Sequence, residues 1–96
     1  MDVTLLYFDG CPNWQTAAAR LTALADELDL TVTRRQITTP EQAEEVGFRG
    51  SPTVLVDGRD VFAVGHEPVG LSCRVYETPD GSAGAPTLEQ LRAVLA

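Results

Sequence analysis

An α/β fold, with a four-stranded mixed sheet, helices on both faces and an insertion before the last helix, follows from three features of this 96-residue chain. It opens as strand, long amphipathic helix, strand, an order that demands a parallel pair joined by a crossover. Asp57-Gly58 stands between two apolar runs, a strong short-range hairpin pattern that adds antiparallel strands to the same sheet. A short helix near residue 40 and a closing helix from residue 87 complete the cover of both faces.

The first strand is Val3 to Phe8, nearly all apolar or β-favouring, as suits a central strand covered on both sides. Trp14, Ala17, Ala18, Leu21, Leu24, Ala25 and Leu28 then recur at helical spacing, predicting an amphipathic helix through Leu30. Pro12 suits its first turn, where a missing N–H costs nothing. Thr31 to Ile37 is β-branched yet carries Arg34 and Arg35, which places it toward a sheet edge.

Thr39-Pro40-Glu41-Gln42 predicts a capping box, with Pro40 starting a short helix that runs to Val46 and ends at Gly47. Thr53 to Val56 and Arg59 to Val64 are the two arms of the hairpin. Residues 65–86 break the pattern with Gly, Pro and Ser, and "SCRVYET" within them suits one more short extended piece. Thr87-Leu88-Glu89-Gln90 is a second capping box, opening a helix that turns Leu88, Leu91, Val94 and Leu95 inward. No repeat and no second domain interrupt residues 1–96.

Composition narrows the function classes. An apolar fraction of 44% and a charged fraction of 22% are ordinary for a folded domain. The formal charge is −7 and all basic residues are arginine, so nucleic acid and anionic membrane would be repelled, and Schiff-base chemistry has no lysine to use. The first residues suit a strand better than a signal peptide, which makes the cytoplasm the expected compartment and a purely structural disulfide unexpected.

The stretch "FDGCPNW" has the form of a redox turn with its second thiol missing, because Trp14 stands where a C-x-x-C motif puts a cysteine. The strand before Cys11-Pro12, the long helix after it, "GFRGSPTVLVDG" leading into the hairpin and the closing helix together resemble the thioredoxin-like fold over essentially the whole chain. The chain also resembles short bacterial thioredoxin-family proteins, some of them labelled alkylmercury-lyase-like. The resemblance implies a nucleophilic Cys11 lying beside a cis-proline at Ser51-Pro52. It also implies that the backbone of Ser51 and Thr53 is offered to an extended ligand.

At a helix N-terminus a thiolate meets unpaired N–H groups and the positive end of the dipole, which makes Cys11 the candidate nucleophile. The alternative is a small buried residue in a tight turn. Cys73 has two open fates. The insertion either folds over Cys11, supplying the missing resolving thiol, or packs Cys73 into an extra strand that never meets it. Pro12, Trp14, Ser51 and Pro52 are the candidate substrate-binding residues, Trp14 also suiting the apolar stripe of its helix. Asp9 suits a turn-former better than a proton acceptor.

His66 with Cys11 and Cys73 makes three soft ligands, but no paired ligand spacing supports a metal, so neither a metal nor another cofactor is expected. The leading expectation is thiol–disulfide exchange with a protein or a small-molecule thiol or disulfide, in a monomer or weak dimer. Alternatives are a non-catalytic module binding a protein partner, a soft metal or an organomercurial, and carbon–mercury cleavage using both thiols with Asp9 as proton donor.

Overall fold

The computed structural model describes residues 1–63 and 68–96. Three helices and eight strands are formed among these residues. β1 (Asp2–Tyr7) lies between β2 (Thr31–Gln36), which pairs with it in parallel, and β4 (Thr53–Val56), which pairs with it antiparallel. β5 (Arg59–Asp60) pairs antiparallel with β4, so the sheet order is β2-β1-β4-β5, four mixed strands with β2 at an edge. Arg34 and Arg35 on β2 are exposed there, as their charge requires.

Alternation along β1 divides the core in two. Val3 and Leu5 join a cluster with Ala17, Leu21 and Leu24 of α1 (Asn13–Leu28), Val54 of β4, and Leu91 and Leu95 of α3 (Leu88–Leu95). Leu6, one residue out of phase, joins Ile37, Phe48 and Ala43 of α2 (Pro40–Val46). α1 ends at Leu28, two residues short of the periodic pattern, because Asp29 takes a left-handed conformation (φ 57°) and caps it.

The two capping sequences behave differently. Thr87 forms the full reciprocal box with Gln90. Thr39 accepts from the Gln42 N–H at 3.1 Å, but the Gln42 carbonyl turns one residue further back, to the Thr38 N–H at 2.8 Å and the Thr38 hydroxyl. In α3, Leu91 and Leu95 are buried while Val94 sits at the margin of the stripe and is exposed, contrary to the inward placement that its spacing predicts.

The hairpin turn forms at Asp57-Gly58, both with positive φ (51° and 87°). Its second arm is two residues long rather than reaching Val64, which lies outside the described residues. The reason is Asp60, whose carboxylate accepts from the Phe62 N–H at 3.1 Å and whose carbonyl accepts from the Ala63 N–H at 3.4 Å, turning the chain out of the sheet. The described residues of the 65–86 stretch form three short strands where one was expected: β6 (Gly70–Cys73), β7 (Tyr76–Thr78) and β8 (Gly81–Ala83). β7 and β8 form a hairpin. β6 pairs in parallel with β3 (Arg49–Ser51), a strand the sequence pattern does not announce.

α1 and α3 are linked at the surface by Arg92, whose Nε and Nη2 donate to the Glu27 carboxylate at 2.8 and 3.1 Å. The hydrogen bond from Arg92 holds the Glu27 carboxyl below its ordinary 4.5. A depressed carboxyl contributes stability that is present above its unfolded-state value and lost as pH falls through the folded one. Both side chains are at least 40% exposed, so the contribution is small and salt-screened. Glu27→Gln is therefore expected to lose slightly less stability than wild type on acidification to pH ~3, a difference that thermal melts should show at low salt and not in ~1 M salt.

Candidate functional site

Cys11 closes the tight turn after β1, its N–H donating to the Phe8 carbonyl at 3.0 Å. A Cβ at Gly10 would stand 2.6 Å from the Phe8 ring, so a side chain there would require that ring to shift. Pro12 is the N-cap residue of α1 and offers no side-chain cap, and the first helical turn carries no Asp or Glu. The positive end of a 16-residue helix thus carries no acidic side chain in its own first turn. The Asn13 side-chain amide adds a donor, Nδ2 lying 3.5 Å from Cys11 Sγ.

Facing Cys11 is the Ser51-Pro52 turn, whose peptide bond is cis. Three successive carbonyls of this turn are occupied. Gly50 O accepts from the Thr53 hydroxyl at 2.6 Å, Ser51 O from the Arg74 N–H at 2.9 Å, and Pro52 O from the Tyr76 hydroxyl. Two of these donors come from the 65–86 stretch. The Ser51 carbonyl that the sequence resemblance leaves for an extended ligand is therefore taken by the chain's own Arg74.

This stitching brings the two cysteines together. Cys73 stands in register with Ser51 in the β3–β6 pair, and it forms a disulfide with Cys11 at a Cα–Cα distance of 5.7 Å. Cys11 is fully buried and Cys73 is exposed. Cys11 Sγ also lies 3.9 Å from the Ser51 carbonyl; with no hydrogen on a disulfide sulfur this is a contact, and it becomes a hydrogen bond only when the thiol forms.

Beside Cys73, Arg74 runs inward. Its guanidinium grips Asp60 with Nη1 at 2.7 Å and Nη2 at 3.3 Å, reaches Thr53 Oγ1 at 3.4 Å and lies 4.9 Å from the centre of the Tyr76 ring. Such a fork is stronger and more directional than a single contact. The Arg74 backbone in turn crosses Gly50, where a Cβ would stand 3.0 Å from that of Arg74 and where φ is +101°. Glycine is needed there both for the conformation and for the close approach.

Cys11, Cys73, Ser51 and Pro52 are thus assembled at one place, and Pro12 is exposed at its rim. Trp14 faces elsewhere. Its ring stacks on Tyr7 at 4.3 Å with Arg34 at 5.9 Å, and it lines a groove of about 550 Å³ with residues of α1 and β2 that includes neither cysteine. Trp14 Nε1 and Ser51 Oγ are buried without a hydrogen-bond partner among the described residues. Asp9 is exposed.

Among the described residues no group of three His, Cys, Asp or Glu side chains could hold a metal; His66 lies outside them. No helix among them is long and apolar enough to cross a membrane. Arg74, Asp60, Tyr76 and Asn13 belong to the site, although nothing in their local sequence marks them. No protein-family model matches the chain, and no curated protein matches it.

Proposed function

We propose that this chain is a thioredoxin-like thiol–disulfide exchange domain, with helices on both faces of its sheet, cycling between the Cys11–Cys73 disulfide and two thiols. The observation that carries the reading is the bond itself: it joins the cysteine at the start of α1 to a cysteine held beside the cis-Pro52 turn. The two out-of-phase core clusters support a sheet covered on both sides. In the exchange, two molecules of a thiol give up two electrons to form one disulfide, and Cys11–Cys73 becomes a dithiol; the reverse oxidises the pair. Cys11 is the nucleophile that closes the bond, because the uncompensated helix end and the Asn13 amide favour its thiolate.

A second reading has one specific observation behind it. Cys11 has no accessible surface, which also suits an inert bond that braces a binding module. Redox titration separates the two. Incubated across glutathione ratios and alkylated, an exchange domain passes reversibly from zero to two modified cysteines, and Cys11→Ser removes the transition. A bond that stays closed at every ratio would establish the brace and end the exchange reading.

A further inference from the structure

Resting on the exchange reading, we infer that Cys73, and not Cys11, is the sulfur that meets the outside thiol, so that the mixed-disulfide intermediate is carried on Cys73. This reverses the order that the sequence resemblance implies, in which Cys11 attacks first.

Three observations agree. The first is access, since exchange requires the incoming thiolate to reach the sulfur it attacks. Cys73 is exposed, whereas Cys11 has no accessible surface. The second is what covers Cys11. β6 lies against the cis-proline turn, where Arg74 N–H takes Ser51 O and Tyr76 takes Pro52 O, so reaching Cys11 means first lifting β6 and β7 away. The third is the leaving group, because the sulfur better able to hold negative charge departs faster. Cys11 has the Asn13 amide at 3.5 Å and precedes a helix whose first turn carries no Asp or Glu. Cys73 belongs to the strand β6, not to the start of a helix.

The steps balance. A thiolate attacks Cys73 Sγ, a new S–S bond forms there, the Cys11–Cys73 bond breaks, and its electron pair leaves as the Cys11 thiolate. A second thiolate attacks the sulfur of the bound thiol, releasing a small disulfide and the Cys73 thiolate. In the oxidising direction the Cys73 thiolate attacks the small disulfide, and Cys11 then attacks Cys73 and expels the second thiolate. Every step passes through the adduct on Cys73, with Cys11 as the internal nucleophile that closes the bond.

The test uses the wild-type oxidised protein and reduced glutathione, quenched at short times with excess maleimide to trap whichever protein thiol is released. Arginine is the only tryptic cleavage residue, and Arg20, Arg59 and Arg74 put Cys11 and Cys73 in separate peptides, 1–20 and 60–74. Glutathione is expected on peptide 60–74 and maleimide on peptide 1–20, in at least about tenfold excess over the reverse pattern. Equal labelling, or glutathione predominantly on peptide 1–20, overturns the assignment and leaves the exchange reading standing. A bond that opens with neither glutathione nor dithiothreitol overturns the exchange reading itself, and the assignment falls with it.

Discussion

Cys73→Ser will unfold in urea with about 4 kcal/mol less stability than the oxidised wild type, and it will lose the two-thiol transition entirely. The magnitude comes from the loop that the bond closes. A cross-link across 62 residues removes denatured-state entropy equivalent to ~4 kcal/mol at 25 °C. Against the ~5–15 kcal/mol that holds a domain together, this is a large fraction. Cys73 is the better site than Cys11 for the comparison, because Cys73 is exposed and serine there meets water, whereas serine at 11 would bury a hydroxyl. Oxidised wild type in dithiothreitol should fall to the stability of the variant. Equal stability of oxidised and reduced wild type would mean that the other contacts of β6 and β7 already hold this part of the chain closed, so that the bond adds nothing to the fold.

Arg74→Met should cost about 3 kcal/mol and shift the disulfide equilibrium toward the thiols. The Arg74 and Asp60 side chains are only 4% and 12% exposed. Removing one member of a buried pair leaves the other desolvated without its counter-charge, which is worth ~3–5 kcal/mol, and the slight exposure of Asp60 argues for the lower end. Methionine keeps much of the apolar stem but loses the fork to Asp60, the bond to Thr53 and the contact with the Tyr76 ring. Asp60→Asn and the double variant complete a cycle in which a coupling of at least ~1 kcal/mol is expected. The functional effect follows from position. Arg74 is the next residue after Cys73, so loosening its side chain lets β6 drift from β3 and lowers the effective concentration of one thiol at the other. A folded Arg74→Met with an unshifted glutathione midpoint would show that the ion pair does not place Cys73.

Features set within one turn of chain were legible without the fold. Asp57-Gly58 reads as a hairpin because both residues tolerate positive φ, and Thr87-Gln90 reads as a cap because its donors and acceptors lie three residues apart. The α1 stripe and the edge position of β2 follow from periodicity and charge. Where a local pattern had two equivalent partners, it failed by one residue, as when Gln42 chose the Thr38 N–H over that of Thr39. Val94 fits the helical period yet lies exposed, since period alone does not say how wide the buried stripe is.

The amino-acid sequence by itself determined the α/β order, the bounds of α2 and a cysteine at the start of a long helix. Whether that cysteine had a partner was decided only in three dimensions. Cys73 reaches Cys11 because β6 pairs with β3, and Arg74 holds β6 by reaching back to Asp60. These contacts span 14 to 62 residues, and no spacing rule along a chain encodes them. A strand of four residues and a buried ion pair are stable only where the rest of the fold has already brought their partners within reach and excluded water around them.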